Sequence, residues 1–416
     1  MKGALAGDTF MSAAADAAQH HLIDDALARR NALVLACTQA LAGANNTVLL
    51  ATGAITGALL APDKIYATVP ISIYVIGLWL GTLPTGWLAR HYGRRTAFQV
   101  GTVFGVVTGL ICCLAVLQGS FLIFNIGAFF SGLYAAAHQA YRFAAADTAS
   151  EAFRPKAISW VLIGGIFAAV IGAQIVIQTK DMWSPYLFAA TYLAQAAVAI
   201  VAGLTLMLLK IPRPPAPTAA NAGRPLSEIV RQPKFIVAVV CGIASYAMMN
   251  MVMTAAPLAM IECNHSITDA ALGLQWHVLG MYVPSFFTGA LIVRFGTERV
   301  IAAGFVMLLV SAVVSISGIT LWHFWVGLAL LGVGWNLGFI GATALVTQTH
   351  RPEERNRVQS FNDFLIFGSM AIGSFGSGKI LAVFGWAAVN EIIFPVVLTA
   401  AAMLLWLAMR ERRKSV

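Results

Sequence analysis

The chain has 416 residues, of which 59% are hydrophobic and only 10% are charged. A soluble globular domain carries about 25% charged residues, so these totals exclude an ordinary soluble enzyme. The net charge of +9 could indicate nucleic-acid binding, but the basic residues lie in short connections between long apolar segments. The sequence therefore predicts an all-α membrane protein, because lipid offers no hydrogen-bond partners to an open strand edge.

Twelve apolar segments are each long enough to cross a bilayer as a helix, which takes about 20 residues. We number them span 1 to span 12. They are predicted over residues 31–58, 67–90, 97–118, 121–148, 157–179, 185–210, 235–261, 269–293, 299–319, 322–348, 358–382 and 386–409. Residues 1–30 contain four aspartates and no early apolar core, so they are predicted to form a tail rather than a cleaved signal.

The positions of the basic residues predict the orientation of the chain. Of the 26 Lys and Arg residues, 22 fall on one side of the predicted bundle. Short loops rich in Lys and Arg stay cytoplasmic. We therefore expect a multi-pass protein of a bacterial-type cytoplasmic membrane. Both tails, residues 1–30 and 410–416, are predicted to lie in the cytoplasm. The proline-rich connection 211–234 is predicted to separate two six-helix bundles, residues 31–210 and 235–409.

An internal repeat relates the two bundles. The segment GWLARHYGRRTAF starts at Gly86, and GALIVRFGTERVIA starts at Gly289, 203 residues later. The second glycines, Gly93 and Gly296, keep the same offset. Internal repeats of this kind are typical of secondary transporters, which bind their substrate near the middle of the membrane, between the repeats.

The first of these segments resembles the loop between helices 2 and 3 of the major facilitator superfamily, which typically reads Gly-x-Leu-Ala-Asp-Arg-x-Gly-Arg-Arg/Lys. Gly86, Gly93, Arg94 and Arg95 match that pattern, whereas Arg90 stands where the family usually has Asp. The resemblance covers nearly the whole chain. It implies two pseudo-symmetric six-helix bundles, transport by alternating access, and a loop that helps to latch the bundles together.

Two carboxylates could complete such a latch: Asp147 at the end of span 4 and Asp363 near the start of span 11. Our hypothesis is that Arg94 pairs with Asp363. The alternative is that the arginines of this loop only fix the orientation of the chain in the membrane.

Polar residues inside the spans are the candidates for substrate binding, because they are costly in lipid and usually face the interior of a bundle. In span 4, Ser131, Tyr134, His138, Tyr141 and Arg142 have the spacing of one helical face. Hydrogen bonding between helices is the alternative explanation. The predicted substrate-binding residues are Asn45, Asn46, His138, Tyr141, Arg142, Gln174, Asn250, Gln275, His277, Trp335 and Asn336.

The sequence thus predicts a secondary active transporter of a small organic solute, coupled to protons, with import favoured over export. The amides and aromatic residues suggest a flat heteroaromatic substrate such as a vitamin or a flavin. A proton-driven exporter of drugs or metabolites is the alternative. A membrane-embedded enzyme or a receptor is the alternative from another class, but we find no catalytic set and no metal-ligand spacing. We expect a monomer in contact with lipid, with no cofactor and no nucleic acid.

Overall fold

A computed structural model describes residues 25–146, 149–150, 153–211, 224–351 and 354–414. Its long elements are α-helices that follow the predicted spans. In the first half they are Asp25–Leu60, Val69–Tyr92, Arg94–Gln118, Phe121–Gln139 with Tyr141–Ala146, Arg154–Thr179 and Ala189–Leu206. In the second half they are Pro233–Glu262, Ile267–Tyr282 with Ser285–Phe295, Thr297–Ile316, Leu321–Thr347, Arg355–Glu391 and Ile393–Lys414. The chain therefore forms two six-helix bundles.

The boundaries of several spans differ from the prediction. Span 1 begins at Asp25, so six residues assigned to the tail are helical. The helix of span 6 covers only Ala189–Leu206 of the predicted 185–210. Residues 361–413 form one continuous apolar stretch of 53 residues. Within this stretch, Gly385 has the non-helical φ of 81°. This conformation divides spans 11 and 12.

Two spans are interrupted. Span 4 breaks at Ala140, so Tyr141–Ala146 forms a separate short helix. Span 8 breaks at Val283 and Pro284 before it resumes at Ser285. Proline interrupts the second helix because it lacks a backbone N–H and its ring clashes with the preceding turn.

Local sequence explains where several spans start and stop. Span 3 ends at Gly119, which adopts φ 65°, and the Ser120 side chain then caps the start of span 4. Span 8 starts with a capping box between Ser266 and Asp269. Such residues satisfy backbone groups that have no partner within the helix.

The repeat seen in the sequence is present in the backbone. Gly93 separates spans 2 and 3 with φ 91° and ψ 159°, and Gly296 separates spans 8 and 9 with φ 90° and ψ 154°. Residues other than glycine rarely adopt a positive φ. The two glycines, 203 residues apart in the sequence, therefore make the same turn in each half.

Similar hydrogen bonds and ion pairs close each bundle at the end where the described chain begins at Asp25 and ends at Lys414, which we call the terminal face. In the first half, the Asn31 side chain exchanges two hydrogen bonds with the Lys210 backbone, at 2.8 and 3.1 Å. In the second half, Lys234 Nζ lies 2.8 Å from Glu411 Oε1. Each pair joins the first helix of a bundle to the end of its last.

The spans differ in how deeply they are buried. In its most apolar stretch, span 7 has 83% of its residues buried, whereas span 3 has 44%. The outer spans 3, 6, 9 and 12 expose apolar side chains such as Leu114, Leu204, Val310 and Leu405. Exposed apolar faces of this extent fit a lipid environment.

The two bundles contact each other through spans 1 and 7, spans 2 and 11, and spans 5 and 8. On the face opposite to the terminal face, the contact is tight, because a Cβ at Gly378 in span 11 would clash with the Thr68 hydroxyl at the start of span 2. Nearer the terminal face, Leu83 and Trp87 of span 2 are exposed. The interface is therefore closed at the opposite face.

Candidate functional site

A group of polar side chains lies where the two bundles meet, which we call the central cluster. It consists of Arg142 from span 4, Tyr246 from span 7, Tyr282 from span 8 and Asp363 from span 11. Arg142 lies in electrostatic range of Asp363, Tyr246 and Tyr282. A cation of the first bundle thus faces a carboxylate of the second.

Helix packing across the interface places these groups. The Trp79 ring of span 2 contacts the Phe364 ring of span 11, with 4.9 Å between centroids. A Cβ at Gly165 of span 5 would lie 3.0 Å from the Tyr282 ring, so this glycine lets span 5 approach span 8. Asp363 is exposed and accepts a hydrogen bond of 3.1 Å from Asn362 Nδ2.

An aromatic cluster adjoins the central cluster and shares Tyr246 with it. The Tyr246 ring makes edge contacts with Trp335, Phe339 and Phe367, at centroid distances of 5.2, 4.8 and 5.9 Å. Trp335 and Phe339 stack on each other at 5.3 Å. The Trp335 Nε1–H has no hydrogen-bond partner among the described residues. This arrangement combines ring faces with a free donor, as a flat heteroaromatic ligand requires.

A second polar group lies within the first bundle. His138 is buried and makes edge contacts with Tyr134 and Tyr141, at 6.1 and 6.3 Å. The Asn45 amide of span 1 lies beside the Tyr134 hydroxyl. The side-chain polar atoms of Asn45 and His138 have no hydrogen-bond partner among the described residues. Buried polar groups normally find partners, so these atoms can accept or donate to a ligand.

Two predicted binding residues make hydrogen bonds between helices of the second bundle. Asn336 Nδ2 donates to the Met281 carbonyl and to Ser285 Oγ, both at 2.6 Å, and its Oδ1 accepts from Thr288. The fully buried His277 bonds through Nδ1 to the Leu328 carbonyl at 2.9 Å. Both side chains fix span 8 to span 10, because each joins these two helices. Asn336 and the Nδ1 atom of His277 therefore contribute to helix packing, whereas His277 Nε2 is buried without a partner among the described residues. Ligand binding by these two residues stays a prediction.

The remaining predicted amides are spread over the interface. Asn46 lies beside the Tyr74 hydroxyl in the first bundle. Asn250 Nδ2 is 3.5 Å from the Met370 carbonyl, so it faces span 11. Gln275 Oε1 is buried without a described partner, whereas Gln174 is exposed. A role of Gln174 in binding stays a prediction.

The predicted latch loop lies at the terminal face. His91 Nδ1 is 2.9 Å from the Trp87 carbonyl, and Arg95 is exposed. A Cβ at Gly86 would meet no atom within 4 Å. The Arg90 side chain and all of Asp147 lie outside the described residues. The pairing of Arg94 with Asp363 stays a prediction, and Asp363 lies in electrostatic range of Arg142 in this structure.

Three tyrosines of the interface were not predicted from the sequence: Tyr74, Tyr246 and Tyr282. The helical period could have found two of them. Tyr246 precedes Asn250 by four residues and Tyr282 follows Gln275 by seven, so each shares a helix face with a predicted residue. Tyr74 has no such signal.

Comparisons with known proteins identify relatives of this chain. The family model described as Major Facilitator Superfamily matches residues 35–272 and 238–416. The riboflavin transporter RfnT of Brucella anthropi is 44% identical over 378 residues, which cover 90% of this chain and 95% of the relative. The uncharacterized MFS-type transporter YddS of Bacillus subtilis is 28% identical over 80% of this chain and 81% of its own length.

Solved structures resemble the fold. A point mutant of the nucleoside transporter NupG has a TM-score of 0.69 at 14% identity, covering 91% of this chain and 99% of its own. The POT family transporter PepTSo has a TM-score of 0.68 at 13% identity, covering 92% and 98%. The agreement of fold at such low identity concerns the arrangement of helices and not the substrate.

Proposed function

This chain belongs to the major facilitator superfamily and is a secondary active transporter of a small organic solute, and we propose that its substrate is riboflavin or a closely related flavin. The observation that carries the proposal is the 44% identity to the riboflavin transporter RfnT across 90% of this chain. A match of this length must span most of both bundles, which together form the interface.

The site suits such a substrate chemically. Riboflavin joins a flat, three-ring aromatic system to a chain of hydroxyl groups, and one edge of the rings carries amide-like donors and acceptors. The aromatic cluster of Tyr246, Trp335, Phe339 and Phe367 supports a stacking role toward the rings. Asn45 and His138, with their unpartnered polar atoms, would serve hydroxyl groups or the polar edge.

We further propose the setting of the transport cycle. The transporter takes up its substrate into the cell and is driven by the proton gradient. Its basic terminal face lies on the cytoplasmic side of a bacterial cytoplasmic membrane. Both chain ends then lie in the cytoplasm, as the excess of Lys and Arg on that side supports. The exposed apolar faces of the outer spans would meet lipid, and a single chain would complete the site between its two bundles.

Counterflow in vesicles tests the substrate. Purified protein is reconstituted with unlabelled riboflavin inside, and labelled riboflavin is added outside. We expect saturable exchange that excess riboflavin blocks and that uridine or a dipeptide leaves intact. Exchange of uridine or the dipeptide in place of riboflavin would overturn the proposal.

Variants locate the site in the same assay. Arg142→Ala and Asn45→Ala should each weaken riboflavin binding by about tenfold, because a buried polar contact contributes roughly 1 to 3 kcal/mol. Asn125→Ala is the matched control, since Asn125 lies in the first turns of span 4 and its Nδ2 donates to the Phe121 carbonyl of its own helix. Wild-type affinity in both site variants would remove these residues from the site.

A further inference from the structure

Asp363 differs from the other described carboxylates in its depth. It lies eight residues after Arg355, where its helix begins, which is about 12 Å along the axis. The other carboxylates of the described residues lie in connections or within about one turn of a helix end. A carboxylate inside a membrane span is costly and marks a functional position.

The surroundings of Asp363 come from both bundles. Among the described residues, Arg142 of the first bundle and the Tyr246 phenol of the second lie in electrostatic range of Asp363. Tyr282 faces the same arginine. Phe367, one turn after Asp363, contacts the Tyr246 ring at 5.9 Å, which fixes this helix face toward span 7. The charge pair therefore sits on the surfaces that separate and rejoin in alternating access.

The proposed substrate brings no charge of its own to Arg142 and Asp363. Riboflavin carries no ionised group near neutral pH, so its binding cannot neutralise either Asp363 or Arg142. A proton is the simplest species that can change the charge of the pair during the cycle. Asp363 is exposed in this structure, which is closed at the opposite face, so a proton on it can reach water from the terminal face.

We infer that Asp363 is the proton-binding carboxyl of this transporter and that Arg142 is its partner across the interface. This inference rests on the proposed flavin transport. One Asp363 carboxylate oxygen takes up one proton at the opposite face and releases the same proton at the terminal face. When the carboxyl is neutral, the attraction to Arg142 is lost and the bundles can rearrange. When it is ionised, the attraction returns.

Two assays on the same vesicles separate coupling from transport. Counterflow at equal pH requires only the exchange of substrate. Accumulation against a gradient requires a coupled proton. With the membrane potential held at zero, a pH gradient of one unit should drive about tenfold accumulation of a neutral solute that travels with one proton. We expect the wild type to reach this value and Asp363→Asn to show counterflow without accumulation.

Control variants sharpen the comparison. Asp363→Glu keeps the ionisable group and should recover part of the accumulation. Glu262→Gln changes an exposed carboxylate at the end of span 7 and should behave as the wild type. Full accumulation by Asp363→Asn overturns the inference, as does equal uptake by the wild type with and without the gradient. Absence of riboflavin counterflow in the wild type would instead refute the proposed substrate.

A binding measurement decides the case in which Asp363→Asn loses counterflow as well. Quenching of riboflavin fluorescence gives the affinity at several pH values without transport. We expect wild-type affinity to change with pH and the affinity of Asp363→Asn to be flat. The same pH dependence in both proteins would overturn the inference.

Discussion

Tyr246 is the residue through which the aromatic cluster and the charge pair meet. Its ring touches three aromatic side chains of the second bundle, and its phenol lies in range of Arg142 and Asp363. A ligand stacked against this cluster would therefore lie beside the charge pair. Such proximity would let the position of the flavin influence the contact between bundles.

Removal of the indole tests the aromatic cluster. Trp335→Ala should weaken riboflavin binding by about twofold to tenfold, because an aromatic pair contributes roughly 0.5 to 1.5 kcal/mol beyond its buried area. Trp322→Ala is the matched control, since Trp322 lies at the start of the same span and is 71% exposed. Fluorescence titration gives both affinities. Equal loss in the two variants would mean that Trp335 has no specific role.

Glu354 makes an ion pair outside the membrane-spanning segments. Its buried carboxylate accepts from Arg224 Nη2 and Nε at 2.8 and 2.9 Å, and from the Arg351 backbone N–H at 2.9 Å. These hydrogen bonds hold the pKa of Glu354 well below its usual range, and the bond from the Arg224 side chain has the largest effect. The pair ties the segment before span 7 to the connection between spans 10 and 11.

The depressed pKa sets the pH range in which this pair stabilises the protein. Because the folded pKa is lower than the unfolded one, the contribution is complete above the ordinary carboxyl pKa and is lost as the pH falls through the folded value. Glu354→Gln should lower the melting temperature at pH 7, with a smaller difference at strongly acidic pH. Glu228→Gln, at an exposed carboxylate 3.7 Å from Arg224, should change it little. A larger difference in acid would contradict this assignment.

Individual candidate residues differ in how clearly the sequence indicates them. Charge is rare inside the spans, so Arg142 stands out, and Asp363 near the start of span 11 was predicted as a partner of the latch loop. An amide gives a weaker signal, because Asn45 and Asn336 have the same chemistry in the sequence. The difference depends on the neighbouring helix. The Asn336 side chain is hydrogen-bonded to Ser285 and Thr288, whereas the side-chain polar atoms of Asn45 have no partner among the described residues.

The spans themselves follow from hydropathy, since each must match the thickness of a bilayer. Their interruptions are harder to predict. Pro284 in span 8 is a visible signal, but Ala140 in span 4 has no sequence feature that favours a break. That break moves Arg142 onto a separate short helix, Tyr141–Ala146. The predicted continuous face of span 4 therefore ends before Tyr141 and Arg142.

The turns after spans 2 and 8 depend on glycine for their backbone conformation. Gly296 has φ 90°, and the nearest atom to a Cβ there would be 3.8 Å away, so space is not the constraint. Gly296→Ala should therefore lower the free energy of unfolding by about 1 to 3 kcal/mol through backbone strain alone.

Gly289→Ala is the matched control for this prediction, because Gly289 is helical and a Cβ there meets nothing within 4 Å. Alanine at that position should be neutral or stabilising by up to about 1 kcal/mol. Thermal unfolding in detergent compares the two variants. Equal stability would show that the positive φ is not required.

A transporter of this family alternates between two arrangements of its six-helix bundles. The structure shows the arrangement that is closed at the face opposite to the terminal face. Two six-helix bundles and their repeat could be predicted from the sequence, because hydropathy and a constant offset of 203 residues are properties of the chain alone. Which face is closed could not, since it depends on the balance between contacts at the two ends of one interface. Close packing of Thr68 against Gly378 accounts for closure at the opposite face.

A methyl group at this contact should shift that balance. Gly378→Ala places a Cβ against the Thr68 hydroxyl, and overpacking of this kind costs about 1 to 3 kcal/mol. This changes the ratio of the two arrangements by roughly fivefold to a hundredfold. We expect faster hydrogen–deuterium exchange around residues 61–70 and slower exchange around residues 83–92. Gly376→Ala, whose Cβ would meet Ile380 at an ordinary 3.8 Å, should leave both segments unchanged. If Gly378→Ala matched that control, closure at the opposite face would have to depend on other contacts between spans 2 and 11.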